Sequence, residues 1–181
     1  MSEQRSTIEN QRLGRLLLTG ALAIYGVPCL LRPESGGFLD AVDLAIHETG
    51  HLVFAPFGEF LGFLGGTLFQ LALPAAFVVY FWQRADRHAA SVALWWVAQN
   101  FWNVSVYVRD ARAQALPLVG GGEHDWAYLL GRLGWLQYDQ AIALDVRLVG
   151  VAVYVCAIVA GARYAWRVPS PTGEAAAAEA V

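Results

Sequence analysis

Two histidines four residues apart, with a glutamate beside the first, sit in the apolar run AIHETGHLVF at 45–54. In a helix, positions four apart share a face, so His47 and His51 would present both imidazoles to one point. That is the spacing for joint coordination of a metal ion. Glu48, one residue round, is close enough to polarise a coordinated water without ligating, which is the H-E-x-x-H arrangement of zinc hydrolases. Zn2+ held there would bring the pKa of its water near 7, with Glu48 as general base. Ionisable groups among Ile46, Leu52, Val53 and Phe54 are costly unless something pairs with them. The run therefore predicts a metal site rather than two stray histidines.

A catalytic zinc wants a third protein ligand, and the sequence offers two. His124 lies in GGGEHDW, a glycine-rich loop able to fold back over the site, and it has no competing structural duty. The alternative is Asp110, which ends a polar stripe of Asn100, Asn103 and Tyr107 on a single helical face. Its plainer role would be an ion pair with Arg109 or Arg112. Of the two, His124 is the predicted ligand, since imidazole suits zinc better. Asp125, beside His124, reads as the N-cap of a helix starting at Trp126. Asp43 lies four before His47, where a carboxylate could accept the second ring N–H of a ligating histidine. It could equally serve an acidic first turn, the reading that fits Asp40. Thr67 and Gln70 would pair between helices or line a groove, Gly65 and Gly66 would permit close packing, and His88 would be solvated.

The elements that must position these groups follow from composition. Of 181 residues 57% are hydrophobic and 15% charged, against about 25% charged in ordinary soluble domains. No charge interrupts 60–82 or 89–108, each matching the ~20 apolar residues that cross a bilayer. Weaker spans are 13–31, broken by Arg15, and 148–166, broken by Arg163. The expected fold is all-α, a polytopic membrane helix bundle with four to five membrane-embedded helices. It divides into a polar, frayed N-terminus at 1–11, a membrane-embedded domain at 12–167, and a disordered low-complexity tail at 168–181. Helices are predicted near 12–31, from Phe38 to about Ala55, to about Trp82, over 89–113 and over 139–166, with PFGEFLGFLGG irregular between the second and third. WAYLLGRLGWL reads as a short interfacial helix.

Every basic residue is arginine and none is clustered, which argues against nucleic-acid binding. Cys29 and Cys156 lie in separate apolar spans as small buried hydrophobes, with no disulfide framework. No small-residue cleavage site follows LLLTGALAIYGVPCLL, so an uncleaved first helix is expected. If the second helix only dips into the membrane, Arg5, Arg12, Arg15, Arg84, Arg87, Arg163 and Arg167 share one side, as the positive-inside tendency favours.

With HETGH in a membrane helix, GEFLGFLGG after it and NFWNVSVYVRD at 100–110, the chain resembles the site-2-protease-like intramembrane zinc metalloproteases over about 38–112. The resemblance implies that His47 and His51 bind zinc, that Glu48 is the base, and that an aspartate of a later helix, Asp110, completes the site. The family has aspartate-glycine there, whereas Ala111 and Arg112 follow Asp110. The expected function is zinc-dependent hydrolysis of a membrane-protein or peptide substrate in or near the bilayer, by a multi-pass protein of the plasma membrane. The alternative is a membrane metal-binding or metal-transport protein using the same histidines without hydrolysis.

Overall fold

A computed structural model describes residues 2–35, 37–117 and 123–167. The tail and the centre of the glycine-rich loop lie outside the described residues. Six α-helices and no strands are present among the described residues: α1 (Ser2–Leu31), α2 (Phe38–Phe54), α3 (Glu59–Gln83), α4 (Arg87–Asp110), α5 (Asp125–Arg132) and α6 (Asp139–Ala165). The helix α1 starts well before residue 12, taking the polar segment into one continuous rod. Short 3-10 turns occupy Pro33–Ser35, Ala55–Phe57 and Leu136–Tyr138.

Helix α4 is the axis. Ala90, Ala93, Trp95, Ala98, Trp102, Val104 and Val108 along it are buried, with α6 packed against it over the most extensive interface. Beyond Asp139 at its start, the buried residues of α6 are small: Ala143, Gly150, Ala157, Gly161 and Ala165. The small stripe lets two backbones approach closely, and a methyl on Gly150 would lie 2.7 Å from the Trp102 ring.

Helices α1, α3 and α6 (the last extended back to Leu136) are long and apolar enough to cross a membrane, the property that marks a membrane protein. Their outward faces carry exposed Leu17, Ile24, Leu68, Val79, Leu148 and Val159. Water would not tolerate so much apolar surface, but hydrocarbon does. The uncharged run 89–108 is not among these three spans. Gln99, Asn100 and Asn103 make α4 more polar, and the other helices rather than lipid cover it.

Contacts fix the two ends of the bundle. At one, His88 Nε2 lies 3.1 Å from Thr19 Oγ1 and 3.2 Å from the Arg15 carbonyl, so His88 is buried between α4 and α1 rather than solvated. At the other, Glu34 pairs with Arg109 at 3.9 Å and the Gln140 amide donates to the Arg109 carbonyl. The turn before α2 and the first turns of α3, where Phe63 stacks on Tyr128 of α5, both belong to this second end. Helix α2 is paired with α3 as a hairpin, closed by the Ala55–Phe57 turn. The glycine-rich GEFLGFLGG, predicted irregular, is helical from Glu59 on, with Gly65 and Gly66 against α2. A methyl on Gly65 would lie 2.8 Å from the Gly50 carbonyl, closer than any side chain allows. Cys29 and Cys156 are free, half-buried and exposed respectively, not the buried pair of small hydrophobes expected.

Candidate metal centre

The helical spacing of His47 and His51 does bring their rings together, with centroids 4.7 Å apart. The third group beside them is Asp125, whose Oδ2 lies 2.8 Å from His47 Nε2 and 3.2 Å from His51 Nε2. One ligand atom from each of the three residues can be chosen so that all lie within 4.8 Å of one another. Donor atoms around a tetrahedral zinc, with bonds near 2.0–2.1 Å, sit about 3.3 Å apart. The observed spacing is close to that without any movement of the backbone.

Each histidine is held by its other nitrogen. His51 Nδ1 donates to the Gly62 carbonyl at 2.8 Å, and a carbonyl can only accept. His47 Nδ1 donates to Gln70 Oε1 at 3.0 Å. Each ring therefore presents its Nε2 to one carboxylate oxygen, as a donor when that nitrogen is protonated and as a lone pair when the ring is neutral. Three acceptors facing one another would repel, so a positive charge belongs among them, either a proton on an imidazole or a cation. In the metal-free chain that charge is a proton on the imidazoles: burial alone would raise the Asp125 pKa, yet hydrogen bonds and charge from His47 and His51 outweigh burial and bring it to about 2. A divalent cation held by the same three atoms would supply that charge in place of the protons.

Neither predicted third ligand joins the pair. His124 Nδ1 accepts from the Ala127 backbone N–H at 3.3 Å and caps α5, while its Nε2 lies 3.4 Å from Asp110 Oδ2. The two neighbours have exchanged the roles expected of them: His124 is the cap, and Asp125, the first residue of α5, faces the histidines. Asp110 accepts from the backbone N–H groups of Ala115 and Leu116 at 3.0 Å and so closes the turn after α4. Its expected partners are engaged elsewhere, Arg109 with Glu34 and Arg112 with Asp139 at 2.7 Å. Asp43 is not the acceptor for His47; it is buried and takes the Trp96 indole N–H at 2.9 Å. Gln70 fills that role instead, and the pairing between helices considered for it is what the fold builds.

The centre opens into a cavity of about 480 Å³, whose lining includes Glu48, Glu59, Glu123, Phe63 and Tyr107. Tyr107 stacks on His47, with ring centroids 6.2 Å apart and planes 20° from parallel. Gly66 packs against both rings: a methyl group there would lie 2.5 Å from His47 Nε2 and 2.7 Å from His51 Nε2. Gly66→Ala should therefore push both rings off their common point. Overpacking of this kind costs about 1–3 kcal/mol, or roughly 5- to 150-fold in metal affinity. Zinc competition titration reads the loss, and far-UV circular dichroism should show the helices intact. Unchanged affinity would mean that the metal does not sit between the two Nε2 atoms.

Compared with known proteins, the chain matches no family model, no curated protein and no solved structure, so the reading of its centre rests on residue geometry.

Proposed function

We propose that this chain is a membrane-embedded zinc metallopeptidase that hydrolyses a peptide bond in or near the bilayer. The observation that carries the reading is the convergence of His47 Nε2, His51 Nε2 and Asp125 Oδ2 beside Glu48 at the wall of an open cavity. Two imidazoles and a carboxylate are the protein ligands of several hydrolytic zinc sites, which leave a fourth position for water or substrate. Zinc bound there supplies Lewis acidity, activating water and polarising the scissile carbonyl. Glu48 takes the proton from the attacking water and returns it to the departing amine. His47 and His51, each locked through Nδ1, would hold the metal in the cavity that Glu48 also lines.

The protein on this reading is multi-pass, with α1, α3, α4 and α6 crossing the plasma membrane and α2 dipping in from one side. Helix α4, with 24 residues, is about 36 Å long and lies among helices that can cross. Arg5, Arg12, Arg15, Arg84, Arg87, Arg163 and Arg167 belong to the end away from the cavity, which the positive-inside tendency assigns to the cytoplasm. The cavity then opens toward the extracytoplasmic side.

The test is cleavage of single-span peptides co-reconstituted with the protein in liposomes. Cleavage should stop on treatment with a chelator and return with zinc. Zinc bound without cleavage of any peptide would favour the carrier reading, in which the same histidines hold a metal in transit.

A further inference from the structure

His47 is joined to a carboxylate well outside the cavity by a chain of hydrogen bonds that runs in one direction. Asp40 Oδ1 accepts from Asn103 Nδ2 at 3.0 Å and from Gln99 Nε2 at 3.1 Å. Asn103 Oδ1 accepts from Gln70 Nε2 at 2.9 Å, and Gln70 Oε1 accepts from His47 Nδ1 at 3.0 Å. Asp40 lies on the same helix as His47 but borders a separate cavity of about 140 Å³ with Tyr25, Cys29 and Arg32. It has no place in the wall of the metal centre.

The direction of the chain is fixed at Asp40. Its Oδ1 takes two amide donors and so acts as an acceptor whatever Oδ2 carries. Asn103 must then turn its NH2 toward Asp40 and its oxygen toward Gln70. Gln70, facing that oxygen, must donate to it and offer its own oxygen to His47. The last link requires a proton on His47 Nδ1, so in the neutral ring the lone pair falls on Nε2, the atom that faces Asp125. No amide can be reversed without breaking a bond on either side, and Gln70 is only 2% exposed, with little water to compensate.

We infer that Asp40, Asn103 and Gln70 are positioning residues that select the metal-binding tautomer of His47 from a distance. The inference rests on the zinc reading for its purpose, though not for its geometry. Groups that orient a ligating histidine typically contribute 10- to 100-fold to metal affinity.

Substitutions at Gln70 separate positioning from packing. Gln70→Leu keeps the bulk and removes the acceptor, whereas Gln70→Glu keeps an acceptor and adds a buried charge. Positioning ranks Glu near wild type, within about threefold in zinc affinity, and Leu weaker by about 10- to 100-fold. Packing ranks them the other way. Asn103→Ala, which leaves Gln70 present but unanchored, should weaken zinc in the same direction and serves if Gln70→Leu does not fold. Nitrogen-15 spectra of histidine-labelled, chelator-treated protein, at a pH where the rings are neutral, give a second readout without metal. His47 should carry its proton on Nδ1 in wild type and Gln70→Glu, and become a mixture of tautomers in Gln70→Leu and Asn103→Ala. Wild-type affinity and a single Nδ1 tautomer in those last two variants would overturn the inference. A wild type that binds no zinc, but whose tautomer follows the variants as described, would uphold the chain and remove the metal reading.

Discussion

Asp125→Ala should strip zinc from the protein, whereas His124→Ala should leave it bound. In the first variant two imidazoles remain, and the charge that offsets the cation is gone. A loss of more than about 100-fold in affinity is expected, beyond what removal of an orienting group costs. In the second variant, the Ala127 N–H loses its side-chain acceptor, and caps of this kind contribute about 1 kcal/mol to stability. His124→Ala should therefore lower the melting temperature slightly and shift zinc affinity by severalfold at most, through looser placement of Asp125 next door. Asp110→Asn, which keeps one acceptor oxygen for the turn after α4, should also retain zinc. Zinc content after dialysis, measured for the three variants side by side, distinguishes these outcomes. A chain emptied by His124→Ala and not by Asp125→Ala would reverse the assignment.

Glu48→Gln should abolish hydrolysis while zinc stays in place. The side chain keeps its size, and both imidazoles keep their Nδ1 partners, Gln70 and Gly62. Only the proton acceptor at the cavity wall is lost, and general-base loss commonly costs about 100-fold or more in rate. The measurement is the rate of peptide cleavage in liposomes at matched zinc occupancy. If the variant holds zinc and cleaves at the wild-type rate, Glu48 is not the base. If zinc leaves with the carboxylate, Glu48 is a ligand and the chemistry must be redrawn.

Much of the frame was legible in the residues. Phe38 at the start of an apolar run and Pro56 at its end bracket α2, which spans Phe38–Phe54. The four-residue spacing placed two imidazoles on one face, and it did so because the interval is intrinsic to a helix. The third partner was harder for the same reason. One step along a helix turns a side chain by about 100°, so a single-residue difference in where α5 begins decides which of His124 and Asp125 faces the histidines. Capping preferences favour aspartate over histidine, and that preference pointed the wrong way here.

The polar stripe on α4 was read as interior, and Asn103 does join α2 and α3 through Asp40 and Gln70. Asp110, at its end, has turned to the loop beyond the helix. No spacing rule reaches from position 70 to position 47, so the role of Gln70 depends on the α2–α3 hairpin. The hairpin in turn depends on Gly65 and Gly66, expected to permit close packing although the stretch around them is predicted irregular. His88 shows the same lesson at the opposite end: its charged neighbours suggested solvent, but Thr19 and the Arg15 carbonyl of α1 cover it.

Zinc K-edge X-ray absorption on the purified, zinc-loaded protein tests the centre most directly. Two imidazole nitrogens and a carboxylate oxygen should appear at about 2.0–2.2 Å, with a fourth light atom completing the site. The oxygen contribution should fall in Asp125→Ala, and the imidazole signal should be unchanged in His124→Ala. Three imidazoles around the metal, or none, would contradict a centre built from His47, His51 and Asp125.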